Sequence, residues 1–166
     1  MAMPQAILYT SIPPTLDRRS CGEAYGDAYQ RECIRSWRAA GFGVVSLNSD
    51  DEIESLKPRG YDVEFSSTGP TGGRPSIAQF FAAIQAAGAP VAGIINADCY
   101  WMSLGPAAVT GRLINEAAGA MVLLERLNLD PQTMRPTGFP CVGFDAFLFD
   151  TRRLHEVNHA ARWAIG

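Results

Sequence analysis

Lysine is nearly absent from this chain. Lys57 is the only one, and every other basic residue is an arginine. With a formal net charge of −3 there is no basic footprint, which argues against nucleic acid as a partner. No apolar run approaches the roughly 20 residues that cross a bilayer. The opening "MAMPQAILYTSIPP" has neither a basic n-region nor a cleavage site, so no transmembrane segment or signal peptide is expected and the cytoplasm is the expected compartment. Cys21, Cys33, Cys99 and Cys141 are scattered without any CxxC pairing, which reads as free thiols rather than disulfides or structural zinc. Three catalytic signatures are also missing. There is no GxSxG nucleophile elbow. The first strand runs into "TSIPPT" rather than G-x-G-x-x-G, and the loop "TGPTGGRP" lacks the spacing of a P-loop.

What remains is ordinary in composition and regular in arrangement. A chain of 166 residues with 47% apolar and 19% charged residues suits one domain, residues 1–166, with a real core. Apolar, strand-like runs alternate with helical stretches. "AILYTSI" (6–12) is stopped by Pro13-Pro14. Ser20 and Glu23 have capping-box spacing, predicting a helix to about Ala40, with Tyr25, Tyr29, Cys33 and Trp37 as a packed stripe. "FGVVSLNS" (42–49) is the second strand, and Ser49 with Glu52 opens a short helix ending near Pro58. The acids Asp50, Asp51, Glu52 and Glu54 then need no role beyond the helix dipole.

"YDVEFSS" (61–67) is the third strand, and Ser76 caps the next helix. "PVAGIINAD" reads as a strand buried on both faces, followed by a helix from Pro106 and a strand at 120–127. "VGFDAFLFD" (142–150) is a strand or strand bend, with a last helix from about Thr151. This alternation predicts an α/β three-layer sandwich with a mainly parallel sheet. Ligands bind in such folds at the carboxyl edge of the sheet, here Thr10 to Pro14, Asn48, Ser66 to Arg74 and Asn96 to Tyr100.

Asn96 and Asp98 stand at i and i+2, so in an extended segment they face one way. A carboxylate there suits Mg²⁺ or Mn²⁺ held together with a diphosphate. A strand-end Asp capping the next turn accounts for it equally simply. Asp145 in "GFDAF" is open to the same two readings, a functional carboxylate or a turn residue beside a bulge at Gly143. Arg74, in the Gly-rich loop, is able to bind an anion, and a plain surface connection is its alternative.

Together "AILYTSIPP", "GFGVVSLNS", "GIINADCYW" and "GFDAFLFDTRRL" resemble the GT-A glycosyltransferases of the nucleotide-diphospho-sugar transferase superfamily. The resemblance implies a GT-A-type fold, a nucleotide-diphospho-sugar donor, an acceptor of unknown identity and a Mn²⁺ or Mg²⁺ ion. It assigns Thr10, Ser11 and Ile12 to the base and ribose, Asn48 to the base, and Asp98 to the metal as the last carboxylate of a D-x-D-type motif. Asn96 falls on that motif's first acidic position and, as an amide, weakens it. Asp145 takes the place of an acceptor-binding or general-base carboxylate. The chain is short for this family and ends where such proteins usually continue, so a C-terminal truncation is expected.

Two alternatives stay open. One is a catalytically degenerate relative serving as a binding or assembly module, with homo-oligomerisation as its signature. The other is a zinc hydrolase. "HEVNH" (155–159) matches HExxH, with His155 and His159 as ligands and Glu156 as base. Only "AARWAIG" follows it, which supplies no third ligand.

Overall fold

Both faces of the first strand are buried, and the rest of the architecture follows from that. In the computed structural model, which describes residues 6–17, 19–20, 23–102, 108–128, 135, 137 and 143–156, all five residues of β1 (Ala6–Thr10) are buried. Side chains alternate along a strand. Leu8 therefore joins a cluster with Cys33, Ile34, Trp37 and Val44 on one face, while Ile7 and Tyr9 join Val45, Leu47, Phe80 and Ile84 on the other. Two apolar faces need two covering layers of helix, which is the predicted α/β/α sandwich.

A two-residue pair, β2 (Arg19–Ser20) with β3 (Glu23–Ala24), precedes α1 (Gly26–Ala39). β4 (Gly43–Asn48) then leads into α2 (Asp50–Leu56) and a 3₁₀ turn, Lys57–Arg59. β5 (Glu64–Ser67), α3 (Ile77–Ala87), β6 (Val91–Ile95), α4 (Ala108–Ala117), β7 (Met121–Glu125) and β8 (Phe144–Asp150) follow, and Thr151–Glu156 is a closing 3₁₀ turn. The six-stranded sheet has the order β5-β4-β1-β6-β8-β7. Its pairings are parallel from β5 through β6, and β8 runs antiparallel to both β6 and β7. No helix among the described residues is long and apolar enough to cross a membrane.

Local signals at two helices act as the sequence predicts. Ser49 and Ser76 each accept the backbone N–H three residues on, and Glu52 and Gln79 reach back to complete both capping boxes. The third box is a correction. Ser20 and Glu23 pair across the β2–β3 ladder, and α1 starts later, at Gly26, with no side-chain cap on its N-terminus. The same three-residue spacing serves a hairpin as well as a helix start, and contacts outside the segment choose between them. β5 is also shorter than "YDVEFSS" suggests, because the chain bends at 62–63, where the Val63 N–H donates back to the Tyr61 carbonyl at 2.9 Å, and Tyr61 packs under α1. Its hydroxyl donates to Asp27 on α1, and the guanidinium of Arg31 lies 5.1 Å from the centre of its ring. That Tyr61 hydrogen bond, with Arg31 and Arg59 beside it, holds the Asp27 carboxyl below its usual value.

Gly26 is where the chain crosses itself. A Cβ there would sit 1.8 Å from the Leu16 carbonyl oxygen, a backbone atom with little room to move. Gly26→Ala is expected to destabilise the protein by about 1–3 kcal/mol through overpacking, read as a lower urea midpoint. Gly73→Ala, where a Cβ meets nothing within 4 Å, is expected to leave the midpoint within error. Equal midpoints for the two variants would contradict this account of the α1 start.

Candidate functional site

β6 ends at Ile95 and the chain turns at once. The Cys99 N–H donates to the Asn96 carbonyl at 3.1 Å, closing a turn over residues 96–99 that carries Asp98. Turn carbonyls pointing into a protein must find donors, and α1 supplies them. Tyr29 Oη donates to the Asp98 carbonyl (2.9 Å), Gln30 Nε2 to that of Ala97 (2.8 Å), and Trp37 Nε1 to that of Cys99 (2.9 Å). Ser36 Oγ donates to the Cys33 carbonyl and accepts the Trp101 N–H at 2.9 Å. Tyr25, expected in the i, i+4 stripe, precedes α1 and is exposed. Tyr29 and Trp37 of that predicted stripe thus pack and also donate, and with Gln30 they hold the turn that carries Asp98. Periodicity showed the first property. The second depends on which strand exit passes in front of the helix.

On the other flank stands β8. Because it runs antiparallel, its first residues lie at the carboxyl edge of the parallel strands. The ladder to β7 pairs Leu124 with Ala146 and then Glu125 with Phe144, so Asp145 is the extra residue of a bulge, a device that re-aims a side chain. The bulge sits on Asp145 itself, two residues beyond the glycine where sequence places it. Asp145 is tied to the β6 exit twice, with its carbonyl accepting the Asn96 N–H (3.0 Å) and its Oδ1 accepting Asn96 Nδ2 (2.6 Å). Arg126, directly after β7, places Nη1 3.3 Å from the same Oδ1. The result is a cluster of Asn96, Asp98, Asp145 and Arg126 at one edge of the sheet.

Cys99 lies inside this cluster and is buried. Burial first, then the charges of Asp145 and Asp98, push its thiol up to about 12. A thiol so protonated is not a nucleophile near neutral pH, which agrees with its reading as packing.

The first-strand exit is built differently. Thr10, Ile12 and Asn48 are almost wholly buried, and Ser11 is half-buried. Asn48, expected to approach a base, has its amide engaged within the protein. Its Nδ2 donates to the Ile12 carbonyl (2.9 Å) and to Glu52 (3.0 Å), while its Oδ1 accepts from Ser46 Oγ (2.7 Å). Ser46 Oγ in turn accepts the Ile12 N–H at 3.0 Å. The Asn48 and Ser46 side chains therefore hold the loop in place. Thr10 Oγ1 is buried and has no hydrogen-bond partner among the described residues. Arg74 is exposed in the loop before α3, and the Gly69 carbonyl of that loop accepts the Asp50 N–H at 2.9 Å. A cavity of about 220 Å³ opens beside this loop at the ends of β4 and β5, lined by Leu47, Ser66, Ser67, Thr68 and Gln79 among others. The larger cavity, about 320 Å³ and lined by Phe81, Met121 and Phe149 among others, lies toward the amino end of the sheet, away from the cluster. The HEVNH motif falls outside what the structure describes, for both histidine side chains.

No protein-family model and no curated protein matches this chain. Its architecture recurs in solved structures. A cytidylyltransferase from Leptospira borgpetersenii superposes with a TM-score of 0.53 at 10% identity, covering 96% of this chain and 66% of that one. A mannosyltransferase from Pyrobaculum calidifontis, in complex with GDP-Man and Mn²⁺, superposes with a TM-score of 0.52 at 12% identity, covering 93% and 47%. The chain has a GT-A-like α/β fold. HddC from Yersinia pseudotuberculosis shares it, with a TM-score of 0.51 at 12% identity over 92% of this chain and 79% of that one. At such identities the GT-A-like fold is what is shared, and this chain spans about half of the mannosyltransferase.

Arg126 and the α1 donors escaped the sequence reading. A signal for Arg126 existed: "MVLLER" is an apolar strand ending on charge, the same pattern that singled out Asp98. Two outcomes test the site's geometry. Trp37→Phe leaves the Cys99 carbonyl without its donor and is expected to cost about 1–3 kcal/mol in urea unfolding. Cys99 is expected to resist iodoacetamide near pH 8 until denaturant is added, as followed by peptide mass spectrometry. Rapid native labelling would show that the turn is open.

Proposed function

We propose that this protein binds a nucleotide-diphospho-sugar along the carboxyl edge of its sheet and transfers the sugar to an acceptor hydroxyl. The observation that carries the reading is the pairing of Asn96 with Asp145 across two strand ends, beside the turn that carries Asp98, on the GT-A-like fold. The loop formed by Thr10, Ser11 and Ile12, held by Asn48, frames the nucleoside side of the crevice. Arg74, on the loop before α3, meets the donor's charge from the far side of that crevice. Asp98 faces the diphosphate. Asp145 is the base. Both of its side-chain bonds described here fall on Oδ1, and Oδ2 takes the acceptor proton as the oxygen attacks the anomeric carbon and the nucleoside diphosphate departs.

The resemblance also implies Mn²⁺ or Mg²⁺ on Asp98. The donor set fits a divalent ion poorly. Such ions take oxygen ligands, with carboxylates supplying the negative charge. Here Asn96 stands in the first acidic position and directs its Nδ2 at Asp145, while Asp145 Oδ1 is shared with a guanidinium. Asp98 is then the only carboxylate at the two acidic positions of the motif, and no step of the transfer is routed through a metal.

Asn96 also supports the second reading, a sugar-nucleotide-binding module without turnover. A thermal-shift panel of UDP-, GDP- and CDP-sugars, with and without Mn²⁺, is expected to reveal one donor that raises the melting temperature. Asp98→Ala is expected to reduce that shift. Asp145→Asn is expected to retain donor binding while transfer or donor hydrolysis falls by at least about a hundredfold, the range of a lost general base. A panel in which no nucleotide stabilises the protein overturns the proposal. Binding without any release of nucleoside diphosphate supports the module.

A further inference from the structure

Arg126 is the part of the cluster that no element of the transferase reading uses. It follows the last residue of β7 and reaches across the start of β8, and its guanidinium meets Asp145 Oδ1 at 3.3 Å. Its side chain is 42% exposed while that of Asp145 is 15% exposed, so the cation is the member of the pair more accessible to a ligand. A guanidinium is charged at every accessible pH and matches phosphate oxygens in a planar, two-point geometry.

Counting charges shows what it replaces. Asp98, Asp145 and Arg126 sum to one negative charge, with Asn96 neutral. The same cluster with an acid at position 96 and no arginine would carry three. The difference is two positive charges, the amount a divalent cation brings. The amide and the arginine are also bonded to the same Oδ1 of Asp145, so the two departures from a metal-binding pattern occur together at one atom.

We propose that Arg126 takes the place of a divalent cation in this site and binds the diphosphate of the donor directly, so that nucleoside diphosphates bind without metal. This rests on the transferase reading for its ligand. Asp98 then serves to orient the donor, and Arg126 offsets the charge that builds on the departing diphosphate.

Calorimetric titration of the full chain with UDP, GDP and CDP tests it, after EDTA treatment and again with Mn²⁺ added. The best-binding nucleotide is expected to keep its affinity within about twofold in EDTA. Arg126→Ala is expected to weaken it by about ten- to a hundredfold, the worth of a charge-assisted hydrogen bond. Arg126→Gln, which keeps a donor near Asp145 and guards against a folding defect, is expected to weaken it similarly, and Arg126→Lys to restore part of the loss. Arg112→Ala, which removes an exposed pair with Glu116 on α4, is the control for total charge and is expected to bind as the wild type does. Nucleotide binding that requires Mn²⁺ and survives Arg126→Gln overturns this inference and leaves the transferase reading intact. No binding of any nucleotide, with or without Mn²⁺, overturns both.

Discussion

The candidate site exists because β8 enters the sheet backwards, between β6 and β7. Were β8 parallel to its neighbours, its first residues would lie at the amino edge and Asp145 would be a sheet's length from Asp98. Antiparallel insertion puts the start of β8 beside the end of β6. The bulge then frees Asp145 from the β7 ladder while its carbonyl still accepts the Asn96 N–H. One backbone hydrogen bond and one side-chain hydrogen bond between residues 49 positions apart join the two halves of the site. Arg126 enters through the same arrangement, because β7 also ends at this edge.

The edge is held by side chains whose hydrogen bonds are made within the protein. The β6 turn is gripped by four residues of α1, and the β1 exit is gripped by Ser46 and Asn48. Buried backbone groups demand partners, and in both places a polar residue on an apolar face provides them. Asn48 shows how a functional prediction shifts once burial is known. It stands at the strand end where a ligand contact is expected, and its amide instead fixes the loop that would make that contact. A site mounted this way holds its geometry before any ligand arrives, which is what electrostatic catalysis requires.

Charge is the chemical theme of the cluster. An amide at position 96 beside two carboxylates offers a divalent ion less negative charge than an acid there would. An arginine bonded to the partner carboxylate supplies positive charge by another route. The amide and the arginine each make the cluster more positive by one charge, and both are bonded to one carboxylate oxygen. This gives the GT-A-like edge a different electrostatic character from one built around a metal-binding pair of acids.

The alternation of strand and helix, the two-sided burial of β6, the capping box at Ser49, the cap at Ser76 and the placing of polar residues at strand ends were legible in the chain itself. Each depends on neighbours within a few residues, and propensity and periodicity act over that range. The Ser20 and Glu23 pair misled because its spacing satisfies two local structures, and only the crossing of Leu16 over Gly26 selects one. The direction of β8, the meeting of Asn96 with Asp145, the turn donors on α1 and the approach of Arg126 were decided by tertiary structure. These contacts join segments that are distant along the chain. The pairing of strands that creates them follows from how two apolar faces are buried at once, a property no single segment carries.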